Sequence, residues 1–413
     1  MGVMPSQISR RGALAVAATA GLAVPAAARA EPAPAFGGRR DQLTVRVATF
    51  NASLNRPRAG QLLEDLESGT DEQIRAVAAV IQTNNPDILL LNEFDYDSDA
   101  GEDPDAGRRG VDLFREKYLE VSQGGRTPVH YPYAFTAPVN TGVPSGLDLN
   151  GDGTVGGPDD AWGFGEFPGQ YGMVVLSRHR ILTDQVRTFQ NLLWKDMPSN
   201  LMPTEFYGPE ATARMPLSSK SHWDVPISVG SSTLHVLASH PTPPSFDGDE
   251  KRNQRRNSDE IRLWSQYLQA GSASAWIRDD AGTTGGLGLR EKFVILGDLN
   301  ADPVDGDSWP GAIEQLLEHP RVRDPLPRST GAVSAAQEQG GANADHAGDP
   351  ALDTADFADD PAPGNLRVDY VLPEKSLTVV SSAVYWPAPG SPGAELNDAS
   401  DHRLVRVDLQ LPG

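Results

Sequence analysis

Phe293-Val294-Ile295-Leu296 runs directly into Gly297-Asp298-Leu299-Asn300-Ala301-Asp302, and this stretch limits the folds open to the chain more than any other. A short apolar run without polar interruption reads as a strand covered on both faces. The fold therefore needs layers on either side of it. Asp298 and Asn300 are two apart, which on strand geometry directs both to one side at the carboxyl end. A carboxylate and an amide placed there suit a hard divalent cation or a polarised water. An ordinary Asx turn uses the same residues, and the rest of the chain separates the two readings.

The 413 residues are enough for one large or two ordinary domains. Ser9-Arg10-Arg11-Gly12-Ala13-Leu14 is a twin-arginine pattern, an Ala/Leu/Val run follows it to Val24, and Ala28-Arg29-Ala30 is a small-x-small cleavage site. Residues 1–30 read as an export signal and 31–40 as a Pro/Ala/Gly-rich leader. Residues 41–413 read as a single domain, since neither a repeat nor a clean linker interrupts them. The expected product is secreted, with no membrane span. With no cysteine, disulfides, zinc–thiolate sites and thiol nucleophiles are excluded. The formal charge is −21, and losing the three arginines of the signal would deepen it. Such a surface opposes nucleic acid and anionic membrane unless a metal or a local basic groove intervenes.

Leu43–Phe50 alternates as a first strand and ends at Asn51. Ile74, Val77, Ala78 and Ile81 give Thr70–Gln82 helical spacing, with Thr70 as the expected N-cap. Asp87–Glu93 is a buried strand ending in a carboxylate. This β-α-β order points to a layered α/β or α+β domain. Further strands are expected at 171–177, at 367–372, at 377–386 and at 404–409. A hairpin over 221–239 ends at His240. Helices are expected at 111–119, 249–268 and 309–319. Residues 192–215 read as a Pro-interrupted loop and 328–363 as a long mobile loop. Lys251, Arg252, Arg255 and Arg256 fit a solvated helix face better than a phosphate site.

Polar residues stand at or beside the end of strand after strand: Asn51, Glu93, His240, Asp298 with Asn300, Asp369, and Asp401-His402. Strand ends on one edge of a layered fold can converge on a single cleft. Carboxylates and amides favour magnesium or manganese over zinc, and histidine beside carboxylate suits acid–base work near neutral pH. Any one of these residues alone reads equally well as a cap, an ion-pair partner or a surface histidine.

The ordered set resembles the endonuclease/exonuclease/phosphatase superfamily of metal-dependent phosphoesterases. The matching segments are Thr49-Phe50-Asn51, Asn92-Glu93, Met173–Ser177 with Arg178, Ser239-His240, Gly297-Asp298-Leu299-Asn300, Val368-Asp369-Tyr370 and Ser400-Asp401-His402. The resemblance implies an α+β fold, a four-layer α/β/β/α sandwich of two packed mixed sheets flanked by helices. It implies that Glu93 is the main ligand of Mg2+ or Mn2+, with Asn51 beside it and Asp401 joining or holding a second ion. Asp298 and Asn300 would orient the attacking water and bind phosphate. His402 would be the catalytic histidine, oriented by Asp369, and His240 would contact the phosphate or leaving group. Whether Asp298 or His402 is the base stays open. Pro241, where the family often has leucine, and Ser53, where some repair nucleases carry an acid, depart from the pattern.

A second motif lies in the Gly/Asp-rich insertion 140–170. Asp148, Asn150, Asp152, Gly153, Thr154 and Asp159 take positions 1, 3, 5, 6, 7 and 12 of a calcium loop. A structural Ca2+ clamp is expected there, against the plainer reading of an acidic turn. The sequence thus leads to an exported metal-dependent phosphoesterase hydrolysing mono- or diesters by in-line attack of water. The expected substrate is a small phosphate ester, with no obligate protein partner. A secreted DNase I-like nuclease and a catalytically inactive, calcium-stabilised binding protein are the alternatives.

Overall fold

The computed structural model describes residues 42–96 and 107–412. Residues 1–40, read above as a twin-arginine signal and leader, lie outside the described residues, and so does most of the acidic stretch after Asp95. Two sheets form. In the first, the order is Thr378–Tyr385, Leu404–Pro412, Gln42–Leu54, Ile88–Phe94, Met173–Ser177, Tyr133–Phe135. In the second, it is Asp369–Pro373, Lys292–Asp298, Ser232–Ser239, His222–Val229, Arg180–Ile181, with Arg187–Thr188 also paired to His222–Val229. Each sheet is mixed. Gln42–Leu54 runs parallel to Ile88–Phe94, and Ser232–Ser239 runs parallel to Lys292–Asp298.

Alternation along the strands builds the layers. Val45, Val47, Ile88, Leu90, Val236, Val294, Leu296, Val371, Val405 and Val407 share one apolar cluster between the sheets. Ala48, Phe50, Leu89 and Leu91 turn the other way, onto Ile74, Val77 and Ile81 of helix Glu72–Asn84. On the far side, Leu237, Ile295, Tyr370 and Leu372 meet Ile261, Leu263 and Trp264 of helix Arg252–Tyr267. The result is helix, sheet, sheet, helix, as the sequence leads one to expect. Among the described residues no helix is long and apolar enough to cross a membrane.

The inward-facing rows of both sheets end in polar residues. Asn51 pairs with Asn92 across parallel strands, and Asp298 pairs with Asp369 across antiparallel ones. The same period that fills the core with valine and leucine thus brings amides and carboxylates to its open end. Gly297 lets this end close. A Cβ there would overlap the Ser239 carbonyl oxygen on the neighbouring strand, one residue before His240.

Several elements differ from the sequence reading. The cap of helix Glu72–Asn84 is Asp71, whose side chain accepts from Ile74 N, and Thr70 lies outside. Residues 204–214 are helical around a break at Gly208, with Pro209 at the start of the second piece, where its missing N–H costs nothing. Of 309–319 only Glu314–Leu317 is α-helix. Residues 328–363 are folded: Ser329 caps helix Thr330–Gln339, and Ala355–Asp356 pairs with Asn365–Leu366. The small residues there pack under few large side chains, so composition alone suggested mobility. The basic cluster is only partly a solvated face. Arg256 is buried and donates to the carbonyls of Leu217 and Pro216, and Arg255 lies over the Trp309 ring.

Gly297→Ala is expected to lower unfolding free energy by about 2 kcal/mol or more, because backbone would have to move to admit the methyl. Urea denaturation of the two proteins checks this; an unchanged midpoint would mean that the strands do not approach as described.

Candidate active site

The Asp298 carboxylate is the hub. Its Oδ2 accepts from Asn51 Nδ2 at 3.1 Å and lies 3.3 Å from His240 Nε2 and 3.6 Å from His402 Nε2. Its Oδ1 accepts from Asn300 N at 2.9 Å. Burial alone would raise this carboxyl, but His402, His240 and the Asn51 amide outweigh burial and hold it well below the usual carboxylate range. Asn92 Oδ1 receives the Asp298 N–H at 3.2 Å, so the first sheet grips the second on both sides of the carboxylate.

Glu93 reaches this hub through a backbone irregularity. By alternation it should face the helix layer with Leu89 and Leu91. Its φ is +59°, a left-handed conformation that costs a non-glycine residue about 1 kcal/mol or more. The turn brings Oε1 to 2.9 Å from Asn51 Nδ2 and within 4.0 Å of His240 Nε2, while Asn55 Nδ2 donates to Oε2 at 2.7 Å. Strain at this position, between a strand and the loop after it, is what directs the carboxylate into the cleft.

His402 sits between two acids. Its Nδ1 is 2.8 Å from Asp369 Oδ2, and its ring packs edge-on against Phe357. Burial works against the imidazolium, but Asp369 and Asp298 raise its pKa well above the ordinary 6.5. Asp369 is fully buried, and Thr354 Oγ1 donates to the same Oδ2 at 2.9 Å. Arg367 and Arg403 pair instead with Asp324 and Asp356, so neither competes for Asp369. His240 behaves differently. Burial, and then the nearby Lys220, lower its pKa despite Asp298 and Glu93. A neutral ring donating from Nε2 leaves Nδ1 a bare acceptor, and that buried nitrogen has no partner.

Asn300 and Asp401 stand apart from the hub. Asn300 follows the strand in a left-handed conformation (φ +51°), and its Nδ2 donates to Pro241 O at 3.1 Å. It therefore holds the loop after His240, and its side chain does not run parallel to that of Asp298 as unbroken strand geometry would place it. Asp401 is exposed and accepts from Ser53 Oγ at 2.8 Å. Both line the same cavity of about 650 Å3, together with Glu93, His240, Asp298 and His402.

Lys220 escaped the sequence reading. It lies in a polar run, Ser218-Ser219-Lys220-Ser221, with no periodicity to mark it. In the structure it is 6% exposed and lines the cavity. Burial pushes its amine below the ordinary lysine value against the pull of Glu260, Glu93 and Asp298. Among the described residues its amine has no direct hydrogen-bond or ion-pair partner, so it is open to an anion in the cavity, and an anion there would favour its protonated form.

Two groups of three ligand atoms lie within 4.8 Å of one another: Glu93, His240, Asp298, and Asp298, Asp369, His402. In the second, Asp369 and His402 satisfy each other. The first pairs two carboxylates at the cavity wall, a donor set that fits a hard divalent cation, with the His240 ring, whose Nε2 could join as a ligand only by moving its proton to the unpartnered Nδ1. The insertion loop forms no such group. Asp148 accepts from Gly151 N and Gly153 N, and Asp152 from Thr154 N. Asn150 Oδ1 accepts from Asp152 N. The acid that closes this loop is Asp160, buried and accepting from Leu149 N and Gly156 N, whereas Asp159 lines the cavity.

Residues 48–402 match the sequence pattern of the Endonuclease/Exonuclease/phosphatase family. The chain belongs to that family. A solved structure shares the fold. A family member from Beutenbergia cavernae superposes with a TM-score of 0.50 at 18% identity, over 90% of this chain and 72% of that one. A family protein from Leptotrichia buccalis gives 0.47 at 13%, over 89% and 100%. Sphingomyelinase C from Streptomyces griseocarneus gives 0.45 at 14%, over 89% and 99%. No curated protein matches the chain. Members of this family are phosphoester hydrolases, and the two mixed sheets flanked by helices agree with its fold.

Asp369→Asn is expected to bring the His402 titration down toward the ordinary value, read from its ring resonances by NMR. Because the folded-state value of His402 is raised, the imidazolium's contribution is complete below about pH 6.5 and is lost as pH rises through the folded value, while burial raises Asp369 to about 6, so the pair is fully ionised only above that. The variant's stability deficit should therefore shrink across that upper window. A His402 titration unaffected by the change would disprove the pairing.

Proposed function

We propose that the chain is a metal-dependent phosphoesterase that hydrolyses phosphate esters by in-line attack of water. One observation carries this reading: a single ionised carboxylate oxygen, Asp298 Oδ2, faces an amide and two imidazoles at the wall of a cavity that Glu93 also enters. Glu93, with Asn51 orienting it and His240 beside it, would hold Mg2+ or Mn2+, and exposed Asp401 is free to join or to take a second ion. When bound, such an ion supplies positive charge to a phosphoryl oxygen. The chain's own residues supply the rest. Asp298, held ionised, orients the attacking water and accepts its proton. His402, held cationic by Asp369, cannot serve as the base at neutral pH; it donates from Nε2 to a phosphoryl oxygen as charge redistributes. Lys220 adds a second cation at the same wall. Asn300 positions the loop carrying Pro241 and so fixes His240.

Glu93→Gln and His402→Ala are each expected to lower turnover of bis-p-nitrophenyl phosphate by about two orders of magnitude with the fold intact. EDTA should abolish activity, and magnesium or manganese should restore it. Near-normal turnover in either folded variant would sink the mechanism.

We further infer export by the twin-arginine route, on the strength of Ser9–Leu14 and Ala28–Ala30, and a structural Ca2+ in the loop opened by Asp148. Asp148, Asn150 and Asp152 already turn their oxygens onto the loop backbone, and Asp160 in place of the expected Asp159 would close it. Calcium should raise the melting temperature of metal-stripped protein, and Asp148→Ala with Asp152→Ala should erase that rise. A calcium effect that survives the double change would place the ion elsewhere.

A further inference from the structure

The catalytic cavity has walls that hydrolysis itself does not need. Phe164, Tyr171 and Leu149 come from the insertion 140–171, Phe246 from the loop after His240, and Phe357 and Leu366 from the segment 355–366. Two of these rings are unusually placed. Phe246 is 92% exposed and its φ is +61°, costly for a bulky residue. It is held there from both sides. Asp247 accepts from Asn253 N and Gln254 N at the start of helix Arg252–Tyr267, and Ser245 O accepts from Asn253 Nδ2. Phe164 is 54% exposed between Gly163 and Gly165. A Cβ on Gly163 would overlap Ser219 O, and one on Gly165 would overlap Gly142 N. Both flanking glycines are thus pressed onto backbone while the ring between them stays in the cavity mouth. Fixed backbone with an exposed apolar ring is a poor arrangement for folding and a good one for holding a ligand.

Charge narrows the ligand further. Three cationic side chains line the cavity besides the histidines: Lys220, Arg252 and Arg256. Arg256 is committed to two carbonyl oxygens, and Arg252 to Glu250 and the Phe206 ring. Lys220 is left for a single phosphate. Asp159, Asp302 and Asp307 occupy the same lining, where a second phosphate would be repelled. A polynucleotide presents a phosphate at every step and needs a cationic track.

We propose that the substrate is a phosphodiester of one large apolar alcohol, whose hydrocarbon part is seated against Phe164 and Phe246 while its single phosphate meets Lys220 and the Asp298 hub. This rests on the phosphoesterase reading and deepens it. The test measures kcat/KM in magnesium for the methyl, butyl and hexyl p-nitrophenyl phosphodiesters, all kept monomeric in solution, beside plasmid DNA. The hexyl ester should exceed the methyl ester at least tenfold. In the Phe164→Ala, Phe246→Ala protein that ratio should fall to within threefold, chiefly through a raised KM for the hexyl ester. Both rings are exposed, so folding is not at stake, and a melting curve confirms it. Equal kcat/KM for methyl and hexyl esters, a ratio untouched by the double change, or DNA cleaved better per phosphodiester than the hexyl ester would each overturn the inference and leave phosphoester hydrolysis standing. No turnover of any ester would overturn the hydrolase reading and the inference with it.

Discussion

A carboxylate buried between two β-sheets is the constraint on which this molecule depends. Asp298 is 1% exposed, and a charge taken out of water to that depth is costly unless it is surrounded by donors. The donors come from both sheets: the Asn51 amide from the first, the His240 ring and the Asn300 N–H from the second, and the His402 ring from the segment that leads back into the first. None of these pieces is near the others in sequence. The carboxylate can therefore be satisfied only when the sandwich has closed, which makes its ionised state a property of the whole fold. Truncating a partner would leave a buried charge exposed to no solvent and paired with too little. Such clusters contribute less to net stability than to uniqueness of arrangement, and here the arrangement is the chemistry.

His402 extends the same logic. An imidazole buried this deeply should be neutral, as His240 is driven to be. Position decides the difference. His402 lies between Asp369 and Asp298, while His240 has Lys220 nearby and one nitrogen with no partner at all. Two histidines a few ångströms apart thus carry different charge, and each can take a different part in handling a phosphate: one donates as a cation, and the other is open as a neutral ligand or donor.

How much of this was legible in the sequence follows from what each residue depends on. The strands and the inward rows were legible, because Val45 and Val47 alternate with polar neighbours, the run Phe293–Leu296 is apolar on both faces, and Asn51, Asp298 and Asp369 stand at the ends of those strands. Glu93 could be named from its place after a strand, but not aimed: alternation sends it to the helix side, and only its left-handed backbone brings it back. Asn300 failed for the converse reason, since the strand geometry that paired it with Asp298 stops one residue too early. Lys220 left no signal, because its burial is created by chain distant in sequence, Gly163 against Ser219 and Glu260 from the helix behind. Helix Thr330–Gln339 was hidden by composition, since its buried contacts are made by Gly331 and Ala332 where hydropathy patterns look for leucine. The acid that closes the insertion loop shows how little separates neighbours in such a motif. Asp159 and Asp160 are adjacent, and a 3-10 turn over Pro158–Asp160 sends one to the cavity and the other to the loop.

The charge inventory of the site explains how a chain of formal charge −21 can have a cleft built for an anion. Around the hub stand three carboxylates, Glu93, Asp298 and Asp369, against the His402 imidazolium and the Lys220 amine, whose protonated form burial disfavours. The balance is negative. A phosphate ester approaching this wall alone would meet more repulsion than attraction, and in a buried setting that repulsion is poorly screened. A divalent cation held at Glu93 would offset that negative balance. The same balance accounts for the loose end in the geometry. Glu93 keeps its backbone strain while directing a carboxylate toward another carboxylate, with the Asn51 amide donating to both; a cation joining them would relieve the repulsion that remains. The acids spread over the rest of the surface disfavour the approach of a polyanion.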